Sequence, residues 1–249
     1  MQASRANKML RRLLFCGITA ILFTRPCMAD TYLVYIKDES QREAAEKLVK
    51  AVLPENADLQ VTVLPTECHT RAEAQMQAEA IYAGVTALPC LVVSDEKGPY
   101  GVLPVVGLTT AQLQETKEQA NHPEREARAA ERDFSARLYL LCATLCVEEI
   151  DDATLSNVVA ECRQLIEHPH ATTEQQQFIG YRCLYPALLL QYSRGYTGAH
   201  TPYTEAKLLE AIAALEAARD LDRESKIGKQ AFDERERLRR ARREARKYE

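Results

Sequence analysis

Residues 82–107 read Tyr-Ala-Gly-Val-Thr-Ala-Leu-Pro-Cys-Leu-Val-Val-Ser-Asp-Glu-Lys-Gly-Pro-Tyr-Gly-Val-Leu-Pro-Val-Val-Gly. A short apolar run introduced by Leu88-Pro89, a turn holding Gly98, Pro99 and Gly101, and a second apolar run ending at Gly107 make a hairpin signature. A helix-like stretch, residues 110–120, follows it. Upstream, residues 32–36 (Tyr-Leu-Val-Tyr-Ile) are a compact run of aromatic and β-branched residues bounded by Asp30 and by Lys37-Asp38-Glu39-Ser40. That composition predicts a strand buried on both faces. Ser40, with Glu43 three residues on, predicts a capping box opening a helix whose buried stripe is Ala44, Ala45, Leu48, Val49 and Val52 and which Pro54 stops. Residues 59–64 alternate as a second strand, and residues 70–82 form a second helix that Gly84 closes.

The order strand, helix, strand, helix, hairpin, helix requires a parallel first pair joined by a right-handed crossover, with the hairpin adding two antiparallel strands to the same sheet. In that frame Ala83-Gly84-Val85-Thr86-Ala87-Leu88-Pro89 and Val106-Gly107-Leu108-Thr109-Thr110-Ala111-Gln112-Leu113 stand in register. Over residues 31–120 the chain resembles the thioredoxin-like family. The resemblance implies an α/β thioredoxin-like domain built on a mixed four-stranded sheet, with a cis bond before Pro89 and with Gly107 closing the last strand. It also implies a peptide-facing groove at Leu88, Pro89 and Cys90, where thioredoxins pair backbone with extended peptide.

One part of the family pattern is missing. Where thioredoxins carry Cys-x-x-Cys at the start of the first core helix, this chain has Asp38-Glu39-Ser40-Gln41. Ordinary dithiol exchange then has neither an attacking nor a resolving thiol, so fold and reaction separate. The remaining catalytic candidates are Cys90, directly after the proline, and Cys68, just past the second strand beside His69 and Arg71, whose charge favours a thiolate. Three readings stand for this pair: a structural disulfide, a non-standard redox pair, or two unrelated thiols.

Residues 1–29 carry Arg5, Lys8, Arg11 and Arg12, an apolar run over 13–23 and a small-residue end, Cys27-Met28-Ala29. This is the pattern of a secretory signal peptide. The apolar run is too short to cross a ~30 Å hydrocarbon core as a helix, and Leu14-Phe15-Cys16-Gly17 matches a lipoprotein cleavage pattern poorly. Cleavage predicts a periplasmic or otherwise extracytoplasmic bacterial protein with no stable membrane span. The leader holds five basic and no acidic residues, so its removal moves the formal charge from −4 to −9. Nucleic acid is not expected as a partner of so acidic a chain. Six cysteines remain, and an even number in an exported chain favours disulfides.

Beyond residue 120 the composition shifts to Ala, Glu, Arg, Leu and Gln at helical spacing, which predicts an all-α helical-hairpin domain over 121–225. His122-Pro123-Glu124 offers a helix start, and Phe134, Leu138, Leu141 and Leu145 form a core stripe. Leu155, Val158, Val159, Cys162, Leu165 and Ile166 build the next helix. A third, residues 173 to about 192, buries Phe178, Tyr181, Leu184, Leu188 and Leu189, with Pro186 kinking it. Residues 208–221 resemble the second helix of a tetratricopeptide repeat, whose alanines admit a close neighbour, although no 34-residue period runs through the domain. Folding the helices back predicts disulfides from Cys142 to Cys162 and from Cys146 to Cys183. A zinc site built from these four thiolates is the sharper alternative, but it lacks Cys-x-x-Cys spacing, and cysteines simply buried as small hydrophobes are a third reading. His168 and His170 flank a proline at a helix end, where histidine balances the helix dipole, so no metal site is assigned. Residues 226–249, with ten basic and five acidic residues, predict a solvated charged helix or frayed tail. The whole reads as an exported, non-catalytic thioredoxin-like protein, without cofactor, that binds protein or extended peptide in the cell envelope. The alternative is an atypical thiol-disulfide oxidoreductase or redox sensor using Cys90, Cys68 or both.

Overall fold

A computed structural model describes residues 30–146, 150–197 and 201–245. The leader expected at 1–29, with Cys16, Cys27 and Ala29, lies outside the described residues, as do residues 246–249 of the tail. In chain order the elements are β1 (Thr31–Ile36), a single 3-10 turn (Glu39–Gln41), α1 (Arg42–Lys50), β2 (Leu59–Val63), α2 (Arg71–Ala83), β3 (Cys90–Asp95), β4 (Gly98–Pro104) and α3 (Thr110–Glu118). There follow a 3-10 turn (Gln119–Asn121), α4 (Arg125–Leu145), α5 (Asp152–Ile166), α6 (Thr173–Phe178), a π-helical turn (Ile179–Leu184), α7 (Tyr185–Gly195), α8 (Pro202–Leu221) and α9 (Lys226–Ala245). No helix among the described residues is long and apolar enough to cross a membrane.

The chain divides into two compact units, an α/β unit of residues 30–62 and 87–121 and a helical unit of residues 63–86 and 122–245. The α/β unit holds a mixed four-stranded sheet in the order β2-β1-β3-β4. β1 runs antiparallel to β3 with Tyr35 opposite Cys90, and β3 runs antiparallel to β4 with Cys90 opposite Pro104. Val34, Ile36, Leu91 and Val93 are fully buried, as an apolar run without polar alternation requires of a central strand pair. The Asp30 carboxylate ties the sheet together at its other end, accepting from Tyr100 Oη at 2.9 Å and pairing with Lys117 Nζ of α3 at 2.8 Å.

Local chemistry at the helix starts departs from expectation in one place. Thr70–Glu73 and Thr109–Gln112 form capping boxes, and Gly84, at φ +87°, ends α2 in the left-handed conformation. Ser40 and Glu43 do not form the box expected of them. Asp38 takes the capping role instead, accepting from the Ser40 amide at 3.0 Å, and the helix begins with a 3-10 turn. Of the stripe expected on α1, Ala45 and Val49 are buried, but Leu48 is 47% exposed. The hairpin turn lies at residues 96–97, so Pro99 and Gly101 fall inside β4.

The boundary expected at residue 120 falls at 121, but residues 63–86 leave the α/β unit. α2, placed by sequence order inside the first domain, belongs to the helical unit. Its buried face is Ala74, Ala78, Ala80 and Ala83, side chains small enough to let α4 approach, and Arg132 of α4 donates to the Ala83 carbonyl at 3.0 Å. In the rest of this unit Phe134, Leu141, Leu155, Leu165, Ile179, Leu188 and Leu215 share one core. Pro186 has no amide to give to a helical bond, and the chain widens into the π turn immediately before α7 rather than kinking within one helix. Phe178 sits at the rim, 36% exposed. The alanines of α8 do admit a close neighbour, since a Cβ on Gly180 would stand 3.3 Å from Ala218 Cβ.

The charged C-terminal segment is not a solvated tail over its described part. α9 buries Ala231 and packs Leu238 against the core, and Arg235, buried, pairs with Glu216 at 3.2 Å and Glu236 at 2.7 Å. Glu234 accepts from Tyr185 Oη at 2.7 Å. Its apolar face is narrow because its alignment on α8 runs through arginine stems and ion pairs.

Gln177 joins three of these helices. Its side-chain amide, 2% exposed, donates to the carbonyls of Ala218 at 2.8 Å and Asp222 at 2.7 Å and accepts from Ser225 Oγ at 2.8 Å. Replacing it by Leu leaves buried carbonyls without a donor, a loss of about 2–4 kcal/mol. A denaturant titration followed by circular dichroism checks this, with Gln177→Leu expected to unfold at lower denaturant than the parent.

Candidate functional site

The end of the sheet at which β1 finishes and β3 begins gathers the segments singled out in the sequence. Because Tyr35 is the last residue of β1 paired to β3, opposite Cys90, the segment 37–41 and Leu88-Pro89 both leave the sheet at this end. The Leu88–Pro89 bond is cis. The Pro89 carbonyl accepts from the Val105 amide at 3.2 Å, which holds the segment after β4 beside it. Leu88 lies beyond the last paired residue, half-buried, and among the described residues its main-chain amide and carbonyl have no partner.

Past the end of β4, Val105 is 1% exposed and Val106, in the turn that follows, is 72% exposed. Val106 is thus a bare apolar side chain next to the residue tethered to Pro89. Sequence reasoning did not assign it a role, because nothing in the local pattern separates it from the buried Val105.

Opposite, the segment 37–41 is closed on itself. The Lys37 amide donates to Gln41 Oε1 at 2.9 Å, and the Ser40 amide and hydroxyl both donate to Asp38. These oxygens satisfy local main chain and supply no sulfur nucleophile.

Cys90 lies inside the sheet, 3% exposed, and burial pushes its thiol up to about 11. A thiol that is both shielded and neutral at physiological pH is a poor nucleophile. Cys68 belongs to the other compact unit, where it is half-buried and its Sγ lies 3.3 Å from Tyr139 Oη. That hydrogen bond, with burial, raises the Tyr139 hydroxyl to about 12.

The four helical cysteines are not arranged as the sequence suggested. Cys142 stands next to Cys183, with Sγ···Sγ 4.0 Å, and its charge also reaches Cys162. Cys162 is fully buried and its thiol is pushed up to about 12 by burial, whereas Cys146, at the end of α4, is exposed. None of the described cysteines is bridged. Among the described residues no group of three or more His, Cys, Asp or Glu side chains converges as a metal site. His168 packs its ring 5.0 Å from that of Phe134 and its Nδ1 accepts from the His170 amide at 3.3 Å. Burial there lowers the His168 imidazole from its ordinary value.

The raised Cys90 value has a thermodynamic consequence. The folded state favours the neutral thiol, so its contribution is complete below the unfolded-state value near 8.5–9 and is lost as pH rises through about 11. Stability of the α/β unit is expected to fall over that window, by on the order of 2 kcal/mol from this group. Denaturation midpoints of the parent and Cys90→Ala measured from pH 8 to 11 are expected to converge as pH rises. A constant difference between them across the series contradicts it.

No protein-family model, curated protein or solved structure matches the chain.

Proposed function

We propose that the α/β unit is a thioredoxin-like module that has lost dithiol chemistry and retains a peptide-binding role, in a protein exported to the cell envelope through its N-terminal leader. The observation that carries this reading is the unpaired main chain of Leu88 at the open end of β3, flanked by the bare side chain of Val106. A main-chain amide and carbonyl left without partners at a strand end accept an extended segment by backbone pairing, and an exposed apolar side chain nearby adds affinity without reading a specific sequence. The cis bond before Pro89, the sheet order β2-β1-β3-β4 and the helix following Gly107 support the thioredoxin-like reading of the unit.

The same geometry argues for binding over electron exchange. The segment 38–41 offers Asp, Glu, Ser and Gln where an exchange protein needs two thiols, and the Cys90 sulfur is shielded and protonated. The partner class is therefore an extended polypeptide or an unfolded protein segment, held without covalent capture. The helical unit, with its hairpin array, offers a further surface for protein partners.

The test uses the full chain and a fluorescently labelled, reduced and alkylated unfolded polypeptide that has no thiols of its own. Val106→Glu is expected to weaken its binding about tenfold, the loss of one apolar contact, with an unchanged circular dichroism spectrum. Binding that survives Val106→Glu and Leu88→Asp alike, or that needs a free Cys90, rejects the reading.

A further inference from the structure

The cysteines of the helical unit carry an assignment independent of the peptide groove. Cys142 lies on α4 and Cys183 in the π turn between α6 and α7, two segments brought together only by the tertiary fold, and their sulfurs stand 4.0 Å apart. A disulfide needs about 2.05 Å, so a rotation that advances the two sulfurs by roughly 2 Å in total closes the bond. The other two sulfurs differ in access: Cys162 is sealed in the core, and Cys146, just past α4, is exposed.

We propose that Cys142 and Cys183 form a reversible disulfide-forming pair in the helical core, oxidised by exchange with an external disulfide and clamping α4 to the π turn. Exposure sets the order of events. Cys142 is half-buried and the more accessible of the two, while Cys183 is 2% exposed, so the external disulfide is attacked by Cys142 first. The contact between them polarises the pair: the hydrogen bond from Cys183 holds the Cys142 thiol below its ordinary value and the Cys183 thiol above it. Cys142, as thiolate, attacks one sulfur of the external disulfide. That S–S bond breaks, one reagent thiolate leaves and takes up the proton Cys142 released. In the mixed disulfide Cys142 no longer exists as a thiolate that holds the Cys183 proton, which removes the main cause of the raised Cys183 thiol; Cys183, already beside it, attacks the Cys142 sulfur, its proton passing to the second leaving thiolate. Two protons and two electrons move from the cysteine pair to the reagent, which ends as two thiols.

The clamp has a structural logic. The π turn is where the chain departs from α-helical bonding before Pro186, and Gly180 within it lies in close contact with Ala218 of α8. Fixing this turn to α4 ties the irregular segment to a 21-residue helix of the unit, so oxidation is expected to raise its thermal midpoint.

The full-length protein, equilibrated in mixtures of reduced and oxidised glutathione, quenched by alkylation, digested and mapped by mass spectrometry, tests the assignment. The expected result is a cross-linked peptide pair containing Cys142 and Cys183, two fewer alkylatable thiols and a higher thermal midpoint. Cys142→Ser abolishes all three, whereas Cys146→Ser and Cys162→Ala leave the cross-link in place. Because Cys142 is half-buried, Cys142→Ser carries the test even where Cys183→Ser fails to fold. A bridge from Cys142 to Cys162 or from Cys146 to Cys183, glutathione adducts without an internal bridge, or no change in thiol number overturns the proposal. None of these outcomes bears on peptide binding by the α/β unit.

Discussion

The antiparallel register of β1 on β3 is the constraint from which the candidate site follows. Val34 and Ile36 on one strand and Leu91 and Val93 on the other are sealed from solvent. A one-residue slip would turn every one of these side chains to the opposite face. With that register held, Tyr35 faces Cys90, Leu88 falls just past the paired region, and the segment 37–41 emerges at the same end of the sheet. The burial that fixes the register also makes Cys90 a packing residue: its sulfur fills the sheet interior and its ionisation is opposed by the surroundings that stabilise the fold. Structure and chemistry are coupled here in one direction, since what makes the sheet end well defined makes its cysteine unreactive.

The helical unit is organised differently. Its interior is apolar, but its last helix is secured by polar groups, with Gln177 reaching the end of α8 and the start of α9, and Arg235 and Glu216 pairing alongside. Buried polar groups of this kind specify one alignment because every alternative leaves a carbonyl or a guanidinium without a partner. Small residues do the complementary work. Gly180 against Ala218, and the alanine face of α2 toward α4, bring helix backbones close where larger side chains would separate them.

Much of this was legible in the chain itself because the physics was local. β1, β3 and the left-handed end of α2 at Gly84 follow from short-range rules of hydrophobic pattern and hydrogen bonding, whereas the one capping box read from the sequence, Ser40 with Glu43, gave way to Asp38, and the boxes at Thr70 and Thr109 were not anticipated. What escaped was decided at long range. Sequence order placed α2 with the strands that flank it, yet its alanine face is claimed by α4. The segment 226–249 looked solvated because arginine stems and ion pairs to Glu216 and Glu205 do not register as an apolar stripe. Helix geometry put four cysteines in one neighbourhood, but which sulfurs come closest depends on how each helix is rotated, and the π turn before Pro186 brings Cys183 to 4.0 Å from Cys142. At the candidate site the proline and its neighbours were legible by resemblance, whereas the exposure of Val106 became apparent only once the end of β4 was placed.

The central claim is that extended polypeptide pairs with the main chain at Leu88 without passing through sulfur chemistry. Hydrogen–deuterium exchange of the full chain, with and without a saturating unfolded polypeptide that carries no cysteine, addresses it at the level of single segments. The account predicts slowed exchange confined to peptides covering residues 86–89 and 104–108, with the amide of Leu88 among those protected, in both the parent and Cys90→Ala. Protection that falls elsewhere in the chain and leaves these two segments unchanged, or that disappears with the Cys90 sulfur, contradicts it.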